Sequence, residues 1–155
     1  MKNLFIILII NFLKLFGFGH GKLKKINFII LKTYLKIIDQ SFVYKKYYGK
    51  YFKLYPLDNS TDGKILLNSK KLDKKELFYL FKLKKSSNSI LFDIGANSGF
   101  YSILASNYGF KKIYSFEPLK EMSDRLKENI KLNNLENLIE IIDSPVGESD
   151  DYANI

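Results

Sequence analysis

The stretch from Ile90 to Glu117 limits the possible folds more than any other part of the chain. Ile90-Leu-Phe-Asp-Ile94 is a short apolar run bounded by turn residues, the pattern of a buried parallel strand. It ends in Asp93-Ile-Gly95-Ala96-Asn97-Ser-Gly99. Phe100 to Tyr108 then carries Ile103, Leu104 and Ala105 as a helix that Gly109 stops. Lys112-Ile-Tyr-Ser-Phe116 reads as a second parallel strand, closed by Glu117-Pro118.

These residue types suit a ligand at the strand ends. Gly95 and Gly99 let the backbone turn sharply and approach a bound molecule, and the amides opening the next helix face the same place. Asp93, at the strand tip, would hold a donor. Glu117 lies 22 residues after Gly95, close to the offset of about 20 at which a strand-end acid accepts ribose hydroxyls. The loop is not G-x-G-x-x-G, because Asn97 stands where a dinucleotide loop has its middle glycine. Two readings follow: a site for an adenosine-containing ligand, or a glycine-rich turn of purely structural use.

Composition narrows the chemistry. Among 155 residues there is no cysteine and only one histidine, His20, which excludes disulfides, thiolate metal sites, a multi-His metal site and a Ser-His-Asp triad within the chain. The net charge is +9, and the excess is N-terminal: up to Leu57 eleven lysines face one acid, Asp39. Such a block points to a polyanionic surface, lipid or nucleic acid, or to codon bias toward lysine. Arg125 is the one arginine, which weighs against nucleic acid, since the guanidinium is the usual reader of phosphate and guanine.

The start of the chain is apolar from Leu4 to Ile10 and again at Phe12 and Leu13, then charged at Lys14. That is too short and interrupted for a bilayer span of about 20 residues, and Gly17-Phe18-Gly19-His20 makes a poor signal-peptide cleavage site. A cytoplasmic location without secretion is expected. From Lys24 to Asp39 the isoleucines 26, 29, 30, 37 and 38, with Thr33, share one side of a helix, and Lys25, Lys32, Lys36 and Asp39 lie opposite. The apolar side could rest on an anionic membrane surface or cap the domain that follows. Tyr44 to Pro56 has strand character, and Asp58-Asn-Ser-Thr-Asp-Gly63 before Lys64-Ile-Leu-Leu67 predicts a small hairpin. Its aromatics and lysines suit sheet packing or, as an alternative, base stacking. Asp73 and Glu76 have the capping-box spacing for a helix ending near Lys85.

Asp93-Ile-Gly-Ala-Asn-Ser-Gly-Phe-Tyr-Ser102, Tyr114-Ser-Phe-Glu-Pro118 and Leu126-Lys-Glu-Asn-Ile-Lys-Leu-Asn133 together resemble the FkbM-type family of S-adenosylmethionine-dependent methyltransferases. The resemblance runs from about Lys50 to Gly147. It implies an α/β, Rossmann-like class I methyltransferase fold using S-adenosyl-L-methionine. Gly95, Ala96, Asn97 and Gly99 would carry the methionine part of the cofactor, with Asp93 near its amino group, Glu117 on the ribose hydroxyls, and Tyr101 and Pro118 beside them. Leu138 to Ile142 would be a third strand with Asp143 and Ser144 near adenine, although Ser144-Pro145-Val-Gly-Glu148 departs from the family pattern and also reads as a solvated turn.

The organisation implied is a basic helical segment, 1–48, before a partial methyltransferase domain, 49–155, with a hairpin at 50–68, a helix at 73–85 and the βαβαβ unit at 89–147. The family's sheet has seven strands in the order 3-2-1-4-5-7-6, whereas the sequence stops after the third. A truncated chain is therefore expected, with an exposed first strand and with the catalytic residues and acceptor pocket lying beyond it. No catalytic residue is assigned and no metal is expected. The resemblance implies O-methylation of a sugar or small-metabolite hydroxyl, with an anionic membrane surface as a further partner of residues 1–48 and nucleic acid set aside. An RNA methyltransferase and a non-enzymatic membrane module are the competing readings.

Overall fold

The computed structural model describes residues 22–68, 74–82 and 88–147, with Ile6, Leu8, Ile9 and Asn11. The Asp73 cap and the polar stretch from Glu148 lie outside the described residues. The elements run α1 (Lys22–Ile37), β1 (Val43–Tyr47), β2 (Lys50–Leu54), α2 (Ser60–Asn68), α3 (Lys74–Lys82), β3 (Ile90–Ile94), α4 (Phe100–Ala105), a 3-10 turn (Ser106–Tyr108), β4 (Lys112–Phe116), α5 (Lys120–Leu132) and β5 (Ile139–Ile142). Among the described residues no helix is long and apolar enough to cross a membrane. The chain forms two compact units, residues 1–45 with 53–74, and residues 46–52 with 75–155. The hairpin β1–β2 contributes residues to both, and residues 53–74, placed after the expected division at residue 48, group with the first unit.

In the first unit, Leu31 and Leu35 of α1, Val43, Leu54, and Ile65 and Leu66 of α2 are buried. The isoleucine row, for which a membrane surface and a cap on the following domain were the two readings, is the outer one, and Ile37 is 76% exposed. The helix is apolar on more than one side. Leu31 and Leu35 form a second row at i, i+4 spacing, and periodicity alone does not choose between rows. Lys32, expected on the solvated side, donates to the Leu57 carbonyl at 2.6 Å and lies 4.6 Å from the Phe28 ring centroid.

The expected hairpin at 50–68 is corrected: its strands are Val43–Tyr47 and Lys50–Leu54, and Ser60–Asn68 is helical. The Asn59 side-chain oxygen accepts from the amides of Thr61 (2.9 Å) and Asp62 (3.3 Å), an N-cap. Buried Asp62 accepts from the Tyr55 amide at 2.8 Å. At the other end Lys45 donates to the carbonyls of Ile65 (3.1 Å) and Leu66 (2.7 Å), where a cation complements the helix dipole.

The second unit is built on a parallel sheet, β3-β4-β5, with Ile90 opposite Lys112 and Ile113 opposite Ile139. Side chains alternate across it. Leu91, Asp93, Ile113, Ser115 and Ile139 share one face, of which Ile113, Ser115 and Ile139 are buried. On the other face Ile90, Phe92 and Ile94 are exposed, Phe92 by 59%, with its ring stacked 5.5 Å from Tyr114. The continuous apolar run of β3 suggested burial on both faces. Among the described residues only one face is covered, and β3 is an edge strand. The helix expected from Phe100 to Tyr108 becomes 3-10 in its last turn and ends at Gly109 with φ of 72°.

Residues 46–52 of the hairpin belong to this unit. Tyr48 and Gly49 form the turn with φ of 45° and 80°, the positive pair that matches strand twist in two-residue hairpins. Tyr47 and Phe52 pack on Phe100, with ring centroids 5.6 Å away in each case. Asn133 grips Tyr51 at both backbone atoms: its Oδ1 accepts from the amide at 2.8 Å and its Nδ2 donates to the carbonyl at 2.7 Å.

Candidate cofactor site

Every residue singled out at the strand ends lies in the second unit. Parallel pairing puts the carboxyl ends of β3, β4 and β5 side by side, so Asp93, the loop 95–99, Glu117 and Asp143 gather at one edge of the sheet. This is where open α/β sheets hold ligands.

The loop is fixed from several sides. The amides of Gly95 and Ala96 both donate to the Phe116 carbonyl at 3.0 Å, which ties the loop to the end of β4. The Asn97 amide donates to Glu117 Oε2 at 2.8 Å, that of Ser98 to Asn97 Oδ1 at 2.8 Å, and that of Gly99 to the Ala96 carbonyl at 2.9 Å. Asn129 of α5 reaches the Ser98 carbonyl at 3.0 Å. The two glycines serve different needs. At Gly99, with φ of 89°, a Cβ would stand 2.3 Å from Leu126 Cδ1, so only glycine lets the loop close on α5. At Gly95, with φ of 77°, a Cβ would meet nothing within 4 Å, so the backbone borders open space.

All five amides from Gly95 to Gly99 donate to protein acceptors, and of those opening α4, where donors facing a ligand were expected, that of Ser102 donates to Asp93. A phosphate cradle needs such donors directed at the ligand. This loop offers backbone surface and carbonyl oxygens instead, which suits a cationic or zwitterionic group better than a pyrophosphate.

The acids at the three strand ends have separate surroundings. Glu117 is 5% exposed, with Oε2 accepting from Asn97 N and Oε1 from Leu119 N at 3.0 Å. Each carboxylate oxygen can accept twice, which leaves capacity on both for a vicinal diol. Asp93 turns to the covered face of the sheet, where Oδ2 accepts from the Ser102 amide (3.0 Å) and hydroxyl (2.5 Å). The Ser102 hydroxyl also lies 2.6 Å from that of Ser115. Burial raises the Asp93 pKa, and the Ser102 hydrogen bonds offset part of this. Asp143 is exposed and accepts from the Ser123 hydroxyl, whereas Ser144 is exposed and bonds only locally, to the Pro145 carbonyl at 3.4 Å. Tyr101 is half-buried, edge-on to Phe100 at 5.4 Å, and Pro118 is half-buried beside Glu117.

Asn129 and Asn133 have no role in the sequence reading, although they fall within a motif. Their signal is two asparagines four residues apart in an otherwise amphipathic helix, where Asn129 is fully buried and a buried amide needs partners. Among the described residues no group of His, Asp and Glu could hold a metal ion.

The sequence matches no family model. It is 34% identical over 67 residues to a ribosomal protein L11 methyltransferase of Thermoanaerobacter, a match covering 43% of this chain and 22% of the relative. The fold is similar to the tRNA m1G37 methyltransferase of Methanocaldococcus jannaschii, with TM-score 0.56, 27% identity, and coverage of 71% of this chain and 32% of that one. It is also similar to M. jannaschii Trm5 in complex with adenosine, with TM-score 0.54, 29% identity and the same coverage. The chain thus spans about a third or less of the length of the proteins it matches.

These likenesses establish a Rossmann-like class I methyltransferase fold, with S-adenosyl-L-methionine as its cofactor. They overturn the FkbM-type assignment, because the matching structures are tRNA-modifying enzymes. The sugar or small-metabolite acceptor, and the setting aside of nucleic acid, fall with it. The physical reason is that the glycine loop and Phe-Glu-Pro lie on the cofactor side of the fold, so they say little about the acceptor.

Proposed function

We propose that this chain is the cofactor-binding portion of a methyltransferase that acts on tRNA. The observation that carries the reading is Glu117, a buried carboxylate at the tip of the central strand whose two oxygens each take one backbone N–H and keep acceptor capacity. In this reading Glu117 receives the ribose hydroxyls, and the backbone of Gly95, Ala96, Asn97 and Gly99 runs along the amino-acid part of S-adenosyl-L-methionine. Tyr101 and Pro118 flank the site, while Asp143 and Ser144 border the adenine side. Asp93 acts one step back, holding α4 and with it the loop.

When bound, the cofactor supplies a methyl group already activated by its sulfonium centre. What remains for the chain is to hold that group in position and keep water from it. Support for a tRNA acceptor comes from the likeness to the M. jannaschii tRNA methyltransferase at 27% identity. The L11-methyltransferase likeness, at 34% over 67 residues, favours a protein acceptor as the second reading.

Titration with S-adenosylhomocysteine, unmodified tRNA transcript and ribosomal protein L11 separates these readings. The expected result is binding of S-adenosylhomocysteine and tRNA. Binding of L11 without tRNA would move the assignment to the protein acceptor, and failure to bind S-adenosylhomocysteine would overturn the cofactor site.

A further inference from the structure

The hairpin tip carries a surface that the cofactor site does not use. Lys46 and Tyr51 sit on its outward side, with the Lys46 ammonium 5.0 Å from the Tyr51 ring centroid, and Tyr51 is 47% exposed. The turn adds Tyr48, 54% exposed, and half-buried Lys50 opens β2 beside it, on the face that carries Phe52. Tyr48 holds φ at 45°, a conformation that Asn or Gly adopts more readily than a bulky aromatic residue. Its ring meets that of Tyr47 edge-on, with centroids 4.5 Å apart, and the rest of it stands in solvent at the tip.

The tip is also held firmly. Asn133 fixes Tyr51 at both backbone atoms, and Asn107 Nδ2 donates to the Tyr48 carbonyl at 3.0 Å. On the inward side Tyr47 and Phe52 pack on Phe100, the residue that directly follows the glycine loop. The hairpin therefore joins exposed Lys46, Tyr48 and Tyr51 to the residue that follows the glycine loop.

We propose that Lys46, Tyr48, Lys50 and Tyr51 form an RNA-docking surface: the lysines meet phosphates and the tyrosine rings stack on unpaired bases. This rests on the tRNA reading above and places where the RNA is held. Lysine charge supplies affinity without sequence preference, and aromatic faces accept any base. The packing of the hairpin on Phe100 would bring the docked RNA beside the loop.

The test measures an unmodified tRNA transcript binding to the full chain across a salt series, with S-adenosylhomocysteine affinity read in parallel. The Lys46→Gln/Lys50→Gln double variant should flatten the dependence of log affinity on log salt by about 2, roughly one unit for each phosphate no longer neutralised. Tyr51→Ala should weaken tRNA binding by about tenfold or more, since the Asn133 bonds are to backbone and survive the change. Tyr48→Asn should weaken it too while leaving Tm unchanged or higher, a combination that a merely structural tyrosine would not give. All variants should bind S-adenosylhomocysteine as the parent does.

If the parent binds tRNA and the variants match it, the docking surface is wrong and the tRNA reading stands. If the parent binds S-adenosylhomocysteine but no tRNA, the tRNA reading fails and takes this proposal with it. Variants that lose both ligands would mark the hairpin as packing alone. Parent binding to vesicles of anionic phospholipid, lost in the same variants while tRNA binding persists, would reassign the surface to membranes.

Discussion

The tips of β3 and β4 carry the same functional group and use it in opposite ways. Asp93 and Glu117 both stand at the carboxyl ends of neighbouring parallel strands. Asp93 occupies a position whose side chain alternates onto the helix-covered face, so its donors are the Ser102 amide and hydroxyl. Glu117 lies just past the last paired residue, Phe116, where the chain has left the pleat, and its donors are amides of the loops themselves. The lesson is that a carboxylate at a strand end is assigned by where its donors come from. One acid fastens the scaffold, and the other is the one proposed to receive the ligand.

Four outcomes would break or sharpen that contrast, and the largest involves the space both tips border. Gly95→Val should abolish S-adenosylhomocysteine binding in a calorimetric titration. The new Cβ enters open space, so the protein should still fold, at a cost of roughly 1–2 kcal/mol for the left-handed backbone. Unchanged affinity would make the loop a structural turn. Next, Glu117→Ala should weaken the same binding by about a hundredfold, in line with two charge-assisted hydrogen bonds of roughly 1.5–3 kcal/mol each, less what is lost to solvent competition.

Asp93→Ala should do the reverse, lowering stability to urea by about 1–3 kcal/mol through the orphaned Ser102 donors and changing affinity far less. A larger effect on affinity than on stability would place Asp93 at the ligand. The smallest effect is in pH. Because the folded pKa of Asp93 is raised above its ordinary 3.8, its protonated form contributes stability fully below that value, and this is lost as pH rises through the folded pKa. The Tm of the parent relative to Asp93→Asn should therefore be highest below that ordinary value and fall as the pH is raised. A flat difference would show that Asp93 titrates normally.

The glycine loop is readable because local geometry forces its residue types. Gly99 meets Leu126 and Gly95 needs positive φ, so spacing alone locates the turn, the strands on either side and the acid of the next strand. The destination of the Gly95, Ala96 and Asn97 amides is not readable, since their acceptors lie about twenty residues away, at Phe116 and Glu117. Residues 58–68 mislead for a different reason: an Asn-Ser-Thr-Asp cluster opens a helix as readily as a turn, and only the Asn59 cap distinguishes them. The face of α1 is ambiguous because two apolar rows share one helix. As for the acceptor, a motif on the cofactor side carries a family's substrate along with it, and the comparison structures remove that substrate.

The Asn133–Tyr51 pair has a consequence in time. Its partners lie 82 residues apart in sequence, so the hairpin tip leaves the ribosome well before the helix that anchors it exists. At about 5–20 residues per second, the wait is roughly 4–16 s. A two-stranded hairpin is only marginally stable alone in water, so during this interval its lysines and tyrosines belong to a loose ribbon.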